Sequence, residues 1–244
     1  MGTQFSSRIK GSSGERLRSK LVGLAKDRPR RISLGTAVLN GTLAEAAAHH
    51  FFDEFESSPL FAQILRWLKG LHSDAEFHGF ETTIQKYELN HSGNAIVTLT
   101  RALRELLEES EVRKSDPFRV AVRDAAVSVL GAVTTKPTDR GPGITDAQRF
   151  GFQFRKMDTR ELVEIFVKSF ISNLVSAMLH SADPNLTSIS GEVRDGAEGA
   201  AARLGKRVVA RVQETAGLAN DDKIREILVE ELRAHAKAGA DGSS

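Results

Sequence analysis

Cysteine is absent from this sequence, which excludes disulfides, thiolate metal sites and cysteine nucleophiles, and fits a reducing compartment. Long apolar runs are missing as well. The most apolar stretch, LVEIFVKSFISNLVSAML, is interrupted by Glu164, Lys168 and Asn173, each costly at a bilayer centre, so it reads as a buried helix rather than a membrane span. Residues 29–48, PRRISLGTAVLNGTLAEAAA, superficially match a twin-arginine export signal, but Asn40 and Glu45 break the apolar part. A cytoplasmic location is therefore expected. Nucleophile and phosphate signatures are lacking too. There is no G-x-S-x-G elbow and no G-x-x-x-x-G-K-[ST] loop, and the GPG at residues 141–143 is turn chemistry.

What remains is the composition of an ordinary globular protein, 40% hydrophobic and 27% charged, in a chain of 244 residues that is long enough to enclose a core without staples. The net charge of +2 hides an asymmetry. Residues 1–31 carry nine basic side chains against Glu15 and Asp27, a net +7, which leaves −5 on the rest. Such a basic segment calls for an acidic counterpart: a partner surface, nucleic acid, or the chain's own acidic body.

The apolar residues recur with helical spacing almost everywhere, and no pair of strands with hairpin chemistry is present. The expected fold is all-α, about eight helices in two halves joined by a Pro/Gly loop. Leu17, Leu21 and Leu24 mark a first helix ending before Pro29; the Thr42–Glu45 capping box marks the start of a second, burying Leu43, Ala47, Phe51 and Phe55. Ser58-Pro59 opens a third, which Gly70 is expected to end, and Ser73–Glu76 caps a less regular segment. Asp116-Pro117, Asp158 with Glu161, and Asn220 mark later starts, while Gly196, Gly199 and Gly205 allow a close helix neighbour. The expected organisation is a flexible basic leader at 1–13, a helical half at 14–134, a loop or linker at 135–157 that begins within TTKPTDRGPGITD, a second helical half at 158–237 and a disordered tail at 238–244.

Two regions carry candidate chemistry. The first is HHFFDEFE with LHSDAEFH: His49 and Asp53, and His50 and Glu54, are spaced four apart, and His72, Asp74, Glu76 and His78 follow. Imidazole and carboxylate on two adjacent helices would suit zinc, manganese or iron, making a helical metal-dependent enzyme one reading. Neither H-E-x-x-H nor the paired E-x-x-H helices of di-iron bundles is present, so these residues read as structural, with no metal and no cofactor expected. The second region is the opening MGTQFSS. Removal of Met1 would leave the amine of Gly2, with an ordinary pKa of about 7.7–8.0, neutral in a useful fraction and a competent acyl acceptor beside lysines at about 10.4. Thr3 and the serines and glycines that follow keep the segment extractable, and Arg8 and Lys10 offer charge to a recognising partner. G-T-Q-F-S also matches an N-myristoylation pattern, and RRIS at residues 30–33 a basophilic kinase site. For nucleic acid the basic segment has only Phe5 to stack a base, so a nucleic-acid adaptor would bind mainly through phosphate.

The M-G-T opening, the Ser/Gly-containing leader and the late helix R-E-L-V-E-I-F-V-K-S-F-I-S-N-L, followed by a small-residue-rich segment, resemble the QatB proteins of bacterial Qat anti-phage systems. The resemblance implies a non-enzymatic protein acting beside an ATPase, a TatD-like nuclease and a QueC-like enzyme. It further implies that the QueC-like partner couples an activated 7-deazaguanine carboxylate to the amine of Gly2, with Thr3 as the neighbouring residue.

Overall fold

Helices form wherever an apolar stripe of period 3.6 finds a partner, because packing of that stripe supplies most of a helix's stability. The computed structural model describes residues 31–48, 51–86, 94–108, 117–135, 146–182, 191–215 and 217–241. Among them are ten helices and no strand: α1 (Arg31–Ala48), α2 (Phe51–Ser57), α3 (Leu60–His78), α4 (Phe80–Lys86), α5 (Ala95–Glu108), α6 (Pro117–Thr135), α7 (Asp146–Lys156), α8 (Thr159–Ala182), α9 (Gly191–Thr215) and α10 (Asp221–Asp241). The all-α expectation holds. None of the described helices is long and apolar enough to cross a membrane. The leader at 1–13 and the helix read from Leu17, Leu21 and Leu24 lie outside the described residues.

α8 runs through the middle, packed along α6 on one side and α9 on the other, while α9 and α10 together clasp α1. Gly205 of α9 sits where an added Cβ would come within 3.0 Å of the Lys168 backbone on α8, so the close approach expected of the small residues is made there. α7 packs on α3, α4 and α6 at another edge. Phenylalanines knit these layers together. Phe55 lies 4.9 Å from Phe118 and 5.2 Å from Phe170 between ring centroids, and Phe61 lies 5.1 Å from both Phe166 and Phe170. Buried side chains from both sides of residues 136–145 thus belong to one core.

Several boundaries differ from the sequence reading. α1 passes straight through the Thr42 box: Thr42 is buried and its hydroxyl donates to the Val38 carbonyl at 2.8 Å, one turn back. Val38, Leu39, Leu43 and Ala46 share its buried stripe, so burial begins upstream of the apparent cap, whereas Ala47 is exposed and Phe51 and Phe55 belong to α2. α3 likewise continues through Gly70 and the Ser73–Glu76 pattern because Leu68, Leu71 and Ala75 extend its buried face; it stops at Gly79, whose φ of +80° suits glycine and whose N–H reaches the Ala75 carbonyl at 3.2 Å. Residues 146–156 of the expected loop at 135–157 form α7, and residues 238–241 of the expected tail continue α10, where Ala236 is buried and Gly239 abuts the Asn40 carbonyl. Two caps are where the sequence put them. Asp158 accepts from the Glu161 N–H at 2.6 Å, and Asn220 from the Lys223 N–H at 3.0 Å.

Candidate functional site

The residues expected to carry a modification and its recognition, Gly2, Thr3, Arg8 and Lys10, lie outside the described residues, as do His49 and His50. The remaining members of the histidine–acid cluster are separated by the fold. Asp53 is exposed on α2 and takes the Arg233 guanidinium of α10 at 2.8 Å. His72 stands twelve residues beyond Leu60, about 18 Å along α3. It is buried, its Nε2–H donates to the Met157 carbonyl at 2.5 Å, and its ring meets Phe154 edge-on at 5.2 Å. Packing has turned this imidazole inward as a strut between α3 and the end of α7. Glu54, Glu76 and His78 are exposed, and among the described residues no three His, Asp or Glu side chains gather as metal ligands.

Elsewhere, several charges join helices. Lys69 of α3 donates to the Leu218 carbonyl at 2.5 Å and pairs with the buried Asp221 carboxylate at 2.7 Å, tying α3 to the start of α10. Arg233 bridges Asp53 and Glu56, Arg211 of α9 bridges Glu230 and Glu231 of α10, and Arg66 reaches Asp221 and Asp222. Arg225 donates to the Ser58 carbonyl at 2.8 Å.

α7 is different. Phe150, Gln153, Phe154 and Met157 are buried at helical spacing, leaving Arg149, Phe152, Arg155 and Lys156 together on the outer face. Phe152 is 49% exposed and Lys156 Nζ lies 4.2 Å from its ring centroid, a cation–π contact. Arg149, Arg155, Lys156 and the nearby Arg160 have no ion-pair partner among the described residues.

Beside this face runs an open groove of about 220 Å³ between α7 and α4, lined by His78, Glu81, Thr82, Gln148, Phe152 and Arg155. Phe80, which lines it, leads into a buried row of rings: Phe80 meets Phe150 at 4.9 Å, and Phe150 meets Phe154 at 5.5 Å. Gly151 abuts Phe80 so closely that any Cβ there would overlap the Phe80 Cβ, which lets α7 lie down on α4. Phe77, next to His78 on the wall, is 76% exposed. The sequence held a signal for this surface, the i, i+4, i+7 spacing of Phe150, Phe154 and Met157, but the adjoining proline- and glycine-rich run masked it. Comparison with protein-family models, curated proteins and solved structures finds no match to this chain.

Proposed function

We propose that this chain is a non-enzymatic binding component of a bacterial anti-phage defence system, working in the cytoplasm, in which the helical body docks on partner proteins and the leader presents the amine of Gly2 for modification. The observation that carries the docking part is the outer face of α7, where Arg149, Arg155 and Lys156, none of them ion-paired among the described residues, surround the half-exposed ring of Phe152. Exposed aromatics beside a concave surface are typical anchors of protein recognition. The Gly2 part rests on the chemistry of an unhindered α-amine and on the resemblance to QatB proteins. A QueC-like enzyme is the proposed modifier: the activated carbonyl carbon of a 7-deazaguanine carboxylate forms an amide bond with the Gly2 nitrogen, the activating group departs, and the amine loses its proton. Thr3, Arg8 and Lys10 position the leader on that enzyme, and an ATPase and a TatD-like nuclease are the proposed further members.

The test is a pair of variants in the reconstituted system. A folded tag fused ahead of Gly2, or Gly2→Leu, abolishes defence while the circular dichroism spectrum and unfolding midpoint of the body stay the same. Full defence with a blocked terminus contradicts the proposal.

A further inference from the structure

We infer that the groove between α4 and α7 receives an acidic amphipathic helix of a partner protein, with apolar side chains seated against Phe152 and Phe77 and carboxylates facing Arg149, Arg155 and Lys156. Four observations select this occupant. At about 220 Å³ the groove falls below the roughly 300–1,000 Å³ of sites that enclose a small molecule, and being open to solvent it suits the side chains of a longer ligand. Its α7 wall presents Arg155, and Arg149 and Lys156 stand beside it on the outer face of the same helix, with Arg160 next in the chain; none is ion-paired among the described residues, so an incoming carboxylate displaces no bridge among them.

Its opposite wall carries Glu81, and Glu76 stands beside Phe77; these disfavour the uniform negative charge of a nucleic acid but accommodate a polypeptide whose charges can be placed on one side. The chain's own basic segment, with +7 over residues 1–31, has the wrong sign to lie on α7. The partner's helix thus reads as apolar residues at i, i+3, i+4 and i+7 bordered by Asp and Glu. The inference rests on the reading that the body docks on a protein, but not on the fate of Gly2.

The test uses the full chain and three fluorescent probes: a synthetic helix with leucines at i, i+3, i+4 and i+7 and glutamates elsewhere, the same helix with lysines for glutamates, and oligo(dT). The acidic helix is expected to bind, and Arg155→Glu with Lys156→Glu to weaken it about tenfold at low salt and less at high salt. Phe152→Ser weakens binding at both salt concentrations. Glu81→Lys tightens it, a gain that no folding defect produces. Absence of binding by the acidic helix, equal binding by the charge-reversed variant, or preference for oligo(dT) overturns the inference. So does self-association of the free chain that the same charge reversal dissolves, which would assign the groove to a second copy. All of these readouts are independent of N-terminal modification, so a failed groove and a failed acceptor are told apart.

Discussion

At His235 three helices meet through one imidazole. Its Nδ1–H donates to the Asn40 side-chain oxygen of α1 at 2.6 Å, and its Nε2 accepts from Arg207 of α9. Burial, and then the Arg207 charge, hold its pKa below the ordinary histidine value of 6.5, with Glu231 opposing weakly. Because the folded-state pKa is the lower one, the unfolded chain binds the extra proton first. Stability contributed here is complete above about pH 6.5 and is lost as pH falls through that value towards the folded pKa. Urea midpoints measured between pH 7.5 and 5.5 are expected to fall for the native chain and to fall less for His235→Gln; identical pH slopes would show that the imidazole is not linked to folding. Lys69 makes the other telling contact. Lys69→Met keeps the aliphatic stem but leaves the buried Asp221 carboxylate only the longer contact to the exposed Arg66 at 3.5 Å, and is expected to cost about 1–3 kcal/mol in equilibrium unfolding. The sequence marked neither residue, since both gain meaning only from partners more than a hundred positions away or on other helices. It did single out His72, which without a complete ligand motif read as structural, but not its partner, the Met157 carbonyl 85 positions on.

Among the elements, α7 separates core from surface most cleanly. Phe154→Ala removes a fully buried ring that packs on His72 and Phe150, and should cost about 3–5 kcal/mol in denaturant unfolding. Phe152→Ala, two residues away on the exposed face, should change stability by no more than about 0.5 kcal/mol. Similar losses from both would contradict the assignment of faces. Helix starts were legible where the capping side chain stands outside the helix, as Asp158 and Asn220 do. The Thr42 box misled because a threonine hydroxyl bonds equally well to a carbonyl one turn back, and what decides between the two is whether residues 38 and 39 have somewhere to be buried. Gly70 misled for a related reason: the local preference of glycine against helix is about 1 kcal/mol, and the buried stripe of Leu68, Leu71 and Ala75 outweighs it.

Across the whole molecule, the all-α class was legible because period-3.6 stripes leave little room for a sheet, yet stripes of leucine, valine and phenylalanine do not say which helix they face. The clasp of α9 and α10 around α1 therefore came only from the structure. It predicts interdependence: deleting residues 221–244 should uncover the α1 face formed by Val38, Leu39 and Leu43, and abolish the cooperative unfolding transition rather than leave a stable N-terminal half. A retained sharp transition in the truncated chain would mean that the two sides fold separately. The central claim, a helical binding component with Gly2 as its acceptor, is tested most directly by the intact mass of the chain coexpressed with a QueC-like enzyme from its own genome. The account predicts an adduct of the mass of an acylating 7-deazaguanine, located by fragmentation on the Gly2 nitrogen and absent when the QueC-like enzyme is inactive. An unmodified N-terminus in a fully active system would contradict it.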